Sequence, residues 1–180
     1  MQKKGISGRM KLLAVIIVVV GVVVVWQFTL NPYPISATGV FYDNPTVTGG
    51  GDRIQLPYSF LKDKKIVFTD IKLSSNMDEL QYQGRVIPLS LYRGGEYLPL
   101  IALYTPSGKV ITGIRTCEPC ASFSMHIGEG RYLICDACET KWDIETLTGA
   151  SGGCQSYPPP ELTSSVSDNI EIDLSDLGIS

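Results

Sequence analysis

Histidine is nearly missing from this 180-residue chain, with His126 as its one representative. That rules out a centre built on two imidazoles and leaves too little for a histidine-based catalytic triad. No GxSxG, HExxH or phosphate-binding glycine loop is present. Two CxxC pairs do occur, but the residues after them are Ala121 and Glu139 rather than histidine, which excludes covalent c-type haem attachment. Enzymatic turnover is therefore not the expectation. Positive charge is absent between Lys11 and Arg53 and again from Glu161 to the end. Outside the N-terminus no window keeps a helical period, so long amphipathic helices are excluded as well.

Polar side chains are absent from Leu12 to Trp26, and this absence is the first positive signal. Counted on to Leu30, the segment 12–30 spans roughly 28 Å as a helix, about one hydrocarbon thickness. Its valine run suits lipid better than a soluble helix, because the bilayer removes the competing solvated states. Lys3, Lys4, Arg9 and Lys11 form a basic flank over residues 1–11. The charge asymmetry predicts a single-pass membrane protein, N-terminus cytoplasmic and C-terminal domain extracytoplasmic. A cleaved signal peptide is the rival, but Ile35-Ser36-Ala37 matches the cleavage signature poorly.

Four of the fifteen basic residues precede the span, leaving eleven against eighteen acids, a formal charge of −7 that makes nucleic acid an unsuitable partner. The acids from Glu161 onward read as a solvated acidic end, with a docking patch for a basic partner as the alternative. Residues 31–52, rich in proline, glycine, threonine and asparagine, read as a linker. Residues 53–174 then read as a β-rich metal-binding ectodomain, with its metal region at 114–160 and a tail over 175–180. The expected fold class is mostly β: one transmembrane helix, then a small antiparallel ectodomain, Rieske-like or zinc-ribbon-containing. Short β-branched and aromatic segments at Arg53–Pro57, Lys65–Leu73, Arg85–Tyr92, Tyr97–Tyr104 and Lys109–Arg115 are separated by turn signals. Tyr97–Tyr104 and Lys109–Ile114 read as a hairpin closed by Thr105-Pro106-Ser107-Gly108, and Gly128-Glu129-Gly130 as the turn of a second one.

Cys117, Cys120, Cys135 and Cys138 form the two CxxC pairs, with fourteen residues between them. Two thiolates offered from one tight turn bind a soft ion together, and a second pair completes four-coordination. The spacing falls just short of the zinc-ribbon pattern and suits an iron-sulfur cluster equally. Disulfides are the competing reading outside the cytoplasm, although bridges within each pair would tie down little chain.

The stretches Ile114-Arg-Thr-Cys-Glu-Pro-Cys120, Tyr132-Leu-Ile-Cys-Asp-Ala-Cys138, Trp142-Asp-Ile144, Ser151-Gly-Gly-Cys154 and Pro158-Pro-Pro resemble the DUF2318 family of membrane-associated, predicted iron-sulfur-containing proteins. The resemblance covers about Gln55 to Leu174. It implies an iron-sulfur centre, [2Fe-2S] favoured and zinc the alternative, serving electron supply or metal handling beside a membrane redox or metal-transport partner. The second half also resembles a Rieske domain, with Cys135-x-x-Cys138, Trp142-Asp143, Leu147-Thr-Gly149 and Gly152-Gly153. The ligands depart from that pattern, since two histidines are not available.

Cys154 and His126 stand as further ligand candidates, with Met125 beside His126 suggesting loose copper or iron binding. Trp142 reads as core packing or a lid. Glu118, Asp136 and Glu139 predict an anionic rim around the thiolates. Three functions follow: one-electron transfer through an iron-sulfur centre, a zinc- or disulfide-stapled partner-binding domain, and copper or iron capture and delivery.

Overall fold

The computed structural model describes residues 33–179. The expected basic flank 1–11 and membrane helix 12–30 lie outside the described residues, and among the described residues no helix is long and apolar enough to cross a membrane. The described domain is mostly β, as its alternating and β-branched segments predict.

The central sheet runs in the order Glu161–Leu162, Val110–Ile114, Tyr97–Tyr104, Ile66–Lys72, Val40–Phe41. Its middle hairpin is the expected one, with Tyr104 opposite Val110 and the turn closed by the Gly108 N–H on the Thr105 carbonyl at 2.9 Å. Leu98 to Leu103 are all buried, on both faces of the strand, which is why this strand reads as an unbroken apolar run. Beside it lies a four-stranded sheet ordered Ser164–Val166, Asn169–Asp173, Arg53–Pro57, Thr46–Thr48. Here the period is two: Ile54 and Leu56 with Ile170 and Ile172 turn inward and share one core with Leu98, Leu100, Ala102 and Ile114.

The third sheet carries the cysteines and is a meander over residues 125–151. Met125–Gly128 pairs with Tyr132–Cys135 around the expected turn, Tyr132–Cys135 with Lys141–Asp143, and Lys141–Asp143 with Gly149–Ser151. Trp142, opposite Leu133, is fully buried in it.

Four expectations are corrected. The 31–52 segment is no free linker: Ala37–Thr38 pairs with the edge of the cysteine sheet, Val40–Phe41 runs parallel to Val67 and Phe68 in the central sheet, and Thr46–Thr48 pairs with Arg53–Pro57 in the four-stranded sheet. Gly39 sits between the first two strands because a Cβ there would meet the Phe68 ring at 2.0 Å. The acidic end is built into the fold rather than a loose tail, although its acids Glu161, Asp168 and Asp176 are exposed as expected. Asn169–Asp173 pairs along Arg53–Pro57, Glu171 accepts from Gln55 at 2.9 Å, and Leu177 of the expected tail is buried. The strand expected over Arg85–Tyr92 ends at Ile87, since Pro88 has no N–H to continue a ladder, and Leu89–Leu91 forms a 3-10 turn. Finally, Tyr58–Lys64 is an α-helix, too short to display a period. Pro57 precedes it, Lys62 and Lys64 occupy the last turn where the helix dipole favours cations, and Leu61 is its one buried side chain.

Glu145 fastens the central hairpin to the cysteine sheet. Its carboxylate accepts the Ser107 N–H at 2.8 Å and the Ser107 hydroxyl at 2.7 Å. Partial burial raises its pKa, but the Ser107 and Thr105 hydroxyls and the Ser107 N–H outweigh that and hold it below the ordinary value of 4.5. A depressed folded pKa gives stability that is present above pH 4.5 and lost as pH falls through the folded value. Glu145→Gln is expected to cost about 1 kcal/mol at neutral pH, after allowance for solvent exposure, and nothing once the wild-type carboxyl is protonated. Urea unfolding of both chains at neutral and acidic pH checks this; an equal difference at both pH values would contradict it.

Candidate metal centre

Each CxxC pair lies on a tight turn at the end of a strand. Val110–Ile114 leads into Cys117, and Glu118–Cys120 forms a 3-10 turn with Pro119 fixing its start. The loop is pinched shut by the Cys117 N–H on the Ser122 carbonyl at 2.8 Å. Cys135 ends the strand Tyr132–Cys135, and the second loop is closed by the Cys135 N–H on the Thr140 carbonyl at 3.0 Å and the Glu139 N–H on the Cys135 carbonyl at 2.9 Å. In both turns the residue after the second cysteine adopts the left-handed region, Ala121 at φ 50° and Glu139 at φ 56°. Two different tetrapeptides thus bend alike, and each accepts a local strain of order 1–2 kcal/mol to do so.

The two turns face each other. Cys117 Sγ lies 3.9 Å from Cys138 Sγ, and Cys120 Sγ lies 3.5 Å from Cys135 Sγ. Cys154 joins them from the loop after Gly149–Ser151: the sulfurs of Cys117, Cys120, Cys138 and Cys154 all lie within 4.8 Å of one another. All five thiols are free. Cys117, Cys135 and Cys154 are buried, while Cys120 and Cys138 reach the surface in part.

Thr140, fully buried, organises one side of this group. Its Oγ1 accepts the Cys154 N–H at 3.1 Å and the Cys138 thiol at 3.2 Å. Burial disfavours the Cys138 thiolate, but the hydroxyl and N–H of Thr140 outweigh it and bring the thiol down to about 6. Cys120 is pushed up to about 12, chiefly by burial, and Cys117 is pushed up strongly by burial and by the neighbouring sulfurs. Four sulfurs in this space ionise together only when a cation supplies the opposing charge.

The donor set fits a soft metal. With metal–sulfur bonds near 2.3 Å, a tetrahedral ion holds its thiolates about 3.8 Å apart, comparable to the spacing of these sulfurs. A two-iron cluster puts two thiolates on each iron and needs more room between the pairs.

The expected ligand candidates separate clearly. Cys117, Cys120, Cys135, Cys138 and Cys154 converge. His126 turns aside, its Nδ1 2.5 Å from Asp136 Oδ1 and outside the sulfur group, and Met125 is buried opposite Cys135. Trp142 is core packing, and its Nε1 donates to the Gln155 carbonyl at 3.1 Å, fastening the Cys154 loop. The anionic rim is largely compensated, with Glu118 ion-paired to Arg85 and Asp136, itself exposed, engaged by Ser124 and His126; Glu139 is exposed as well. Thr140 and Arg85 went unseen in the sequence. A threonine after a cysteine turn carries no pattern, and Arg85 stands far from Glu118 along the chain.

A family model described as "Membrane iron-sulfur containing protein FtrD-like" matches residues 83–179, a stretch that contains all five cysteines, Arg85 and Thr140. No curated protein and no solved structure matches the chain.

Proposed function

The chain belongs to the FtrD-like family of membrane iron-sulfur containing proteins, and on that premise we propose that it is an extracytoplasmic one-electron carrier supporting membrane redox or metal transport. The observation that carries this reading is the convergence of five thiols, four of them mutually within 4.8 Å, at one end of a rigid sheet. Iron bound there supplies a reversible one-electron change. The two turns offer Cys117, Cys120, Cys135 and Cys138, and Cys154 adds a fifth donor.

The protein's own part is placement and electrostatics. Thr140 Oγ1 holds Cys138 Sγ by a hydrogen bond, and Arg85 balances Glu118 beside the first turn. Pro119 and Ala137 at the turn tips are exposed next to the partly exposed Cys120 and Cys138, so a redox partner has an approach on that side. The meander with two cysteine turns at one end supports the Rieske-like reading of the second half, with cysteine in place of histidine. The close sulfur spacing favours a single ion, iron or zinc, and a [2Fe-2S] centre, the form the family resemblance implies, requires the two turns to stand farther apart.

Anaerobic purification of the full chain, with iron, zinc and acid-labile sulfide assays and a spectrum before and after reduction, tests this. Iron with visible absorbance that bleaches on reduction is expected. Colourless protein holding one zinc per chain would end the electron-transfer reading and leave a structural site.

A further inference from the structure

Five sulfurs meet where a four-coordinate centre takes four, so one cysteine is surplus. The CxxC spacing singles out Cys154 as the extra one, yet the sulfurs that lie mutually within 4.8 Å are those of Cys117, Cys120, Cys138 and Cys154. Cys135 instead lies against Cys120 at 3.5 Å.

The Cys154 position is built with care. The chain returns along Gly149–Ser151, paired to Lys141 and Trp142, and crosses directly over Thr140. Gly152 makes the crossing possible: its φ is +102°, and a Cβ there would lie 2.5 Å from Thr140 Oγ1 and 2.6 Å from Thr140 Cα. Gly153 meets nothing within 4 Å, so of the paired glycines only Gly152 answers to a close approach. The loop is then held at three points: the Cys154 N–H on Thr140 Oγ1, the Tyr157 N–H on the Cys154 carbonyl at 2.9 Å, and Trp142 Nε1 on the Gln155 carbonyl. Because Thr140 Oγ1 is shared with Cys138 Sγ, one buried hydroxyl sets the separation between a turn thiol and the loop thiol. The backbone of Cys135 closes the second turn through Thr140 and Glu139, a role that needs no sulfur.

We infer that Cys154 is the fourth ligand of the centre, that Thr140 is its positioning residue, and that Cys135 is the surplus thiol. This rests on the thiolate-bound metal proposed above. In such a centre the second CxxC pair contributes one ligand rather than two, and the remaining ligand comes from a loop that Thr140, two residues after the pair, holds down.

The test uses the full chain in detergent, stripped of metal and loaded with cobalt(II), whose thiolate charge-transfer band grows with the number of bound sulfurs. Cys154→Ser is expected to lower that band by about a quarter, one thiolate in four. Cys135→Ser is expected to keep both the band and the resistance to chelators. Thr140→Val should weaken retention about 10- to 100-fold, as loss of a hydrogen bond to a ligand does, and Thr140→Ser should restore it. Should a variant not fold, the wild type answers alone: loaded with NMR-active cadmium, its Cys154 Hβ protons couple to the metal and those of Cys135 do not. Coupling to Cys135 without Cys154, or equal loss of the cobalt band in both serine variants, overturns the assignment while leaving the metal centre standing. A wild-type chain that takes up neither ion removes the centre itself, and the inference with it.

Discussion

Replacing Arg115 with methionine is expected to cost about 3–5 kcal/mol of folding stability, because the change strips a buried carboxylate of its main partner. The Arg115 side chain is only 4% exposed. One terminal nitrogen donates to Asp70 Oδ1 at 2.8 Å and to the Tyr92 hydroxyl at 2.7 Å, while the other donates to the Phe123 carbonyl at 2.7 Å. The guanidinium also stands over the Phe68 ring, 4.4 Å from its centroid. Tyr92 in turn donates to Asp70 Oδ2, and burial followed by that carboxylate holds its phenol pKa above the ordinary value, keeping it a donor. Without Arg115, Asp70 keeps the Tyr92 bond and Arg93, a half-exposed partner at 3.0 Å, and the Phe123 carbonyl is left unpaired. Phe123 lies between the first cysteine turn and the strand Met125–Gly128, so the same side chain joins the central sheet to the metal region. Adding Asp70→Asn to the methionine variant should recover part of the loss, since the stranded charge is then gone. Denaturant unfolding of the four chains of this cycle measures it; a single-variant cost below about 1 kcal/mol would mean the network is decorative.

The second large effect belongs to Trp142→Ala, expected to cost about 3–5 kcal/mol. The indole is fully buried, packs across from Leu133 and holds the Gln155 carbonyl through Nε1. Cavity formation supplies most of the loss, and release of the Cys154 loop adds to it. Trp142→Phe separates the two contributions: it keeps most of the volume and forfeits the hydrogen bond, for a cost of about 1–2 kcal/mol. Equal destabilisation by both substitutions would show that the hydrogen bond, not the packing, dominates.

The sequence made local features legible. The central hairpin, the Gly128–Gly130 turn and the two cysteine turns each depend on residues within a few positions of one another, where turn chemistry and alternation are readable. What escaped depends on pairings between distant segments. Cys154 is a candidate ligand already in the sequence, but its place beside Cys117, Cys120 and Cys138 follows only from the pairing of Gly149–Ser151 back onto Lys141 and Trp142. Arg85 neutralises Glu118 across a gap that no spacing rule spans. The segment 31–52 carries the proline and glycine of a linker, yet its few β-branched residues are enough for short edge strands once the sheets offer a partner. Composition reported its turns and missed its strands.

Those edge strands bear on the order in which the chain assembles. Residues 37–41 border two sheets at once, pairing Ala37 with Ile127 and Val40 with Val67. The first of these closes a loop of roughly ninety residues, against about ten for the hairpin that precedes Cys135, an entropic handicap of about 2 kcal/mol. The strap therefore docks after the meanders have formed and is the first part to let go. Amide hydrogens of residues 37–41 should exchange through brief local openings that leave the strand Tyr97–Tyr104 closed. The N-terminal approach to the domain then acts as a latch that opens and shuts many times within the lifetime of a single folded molecule.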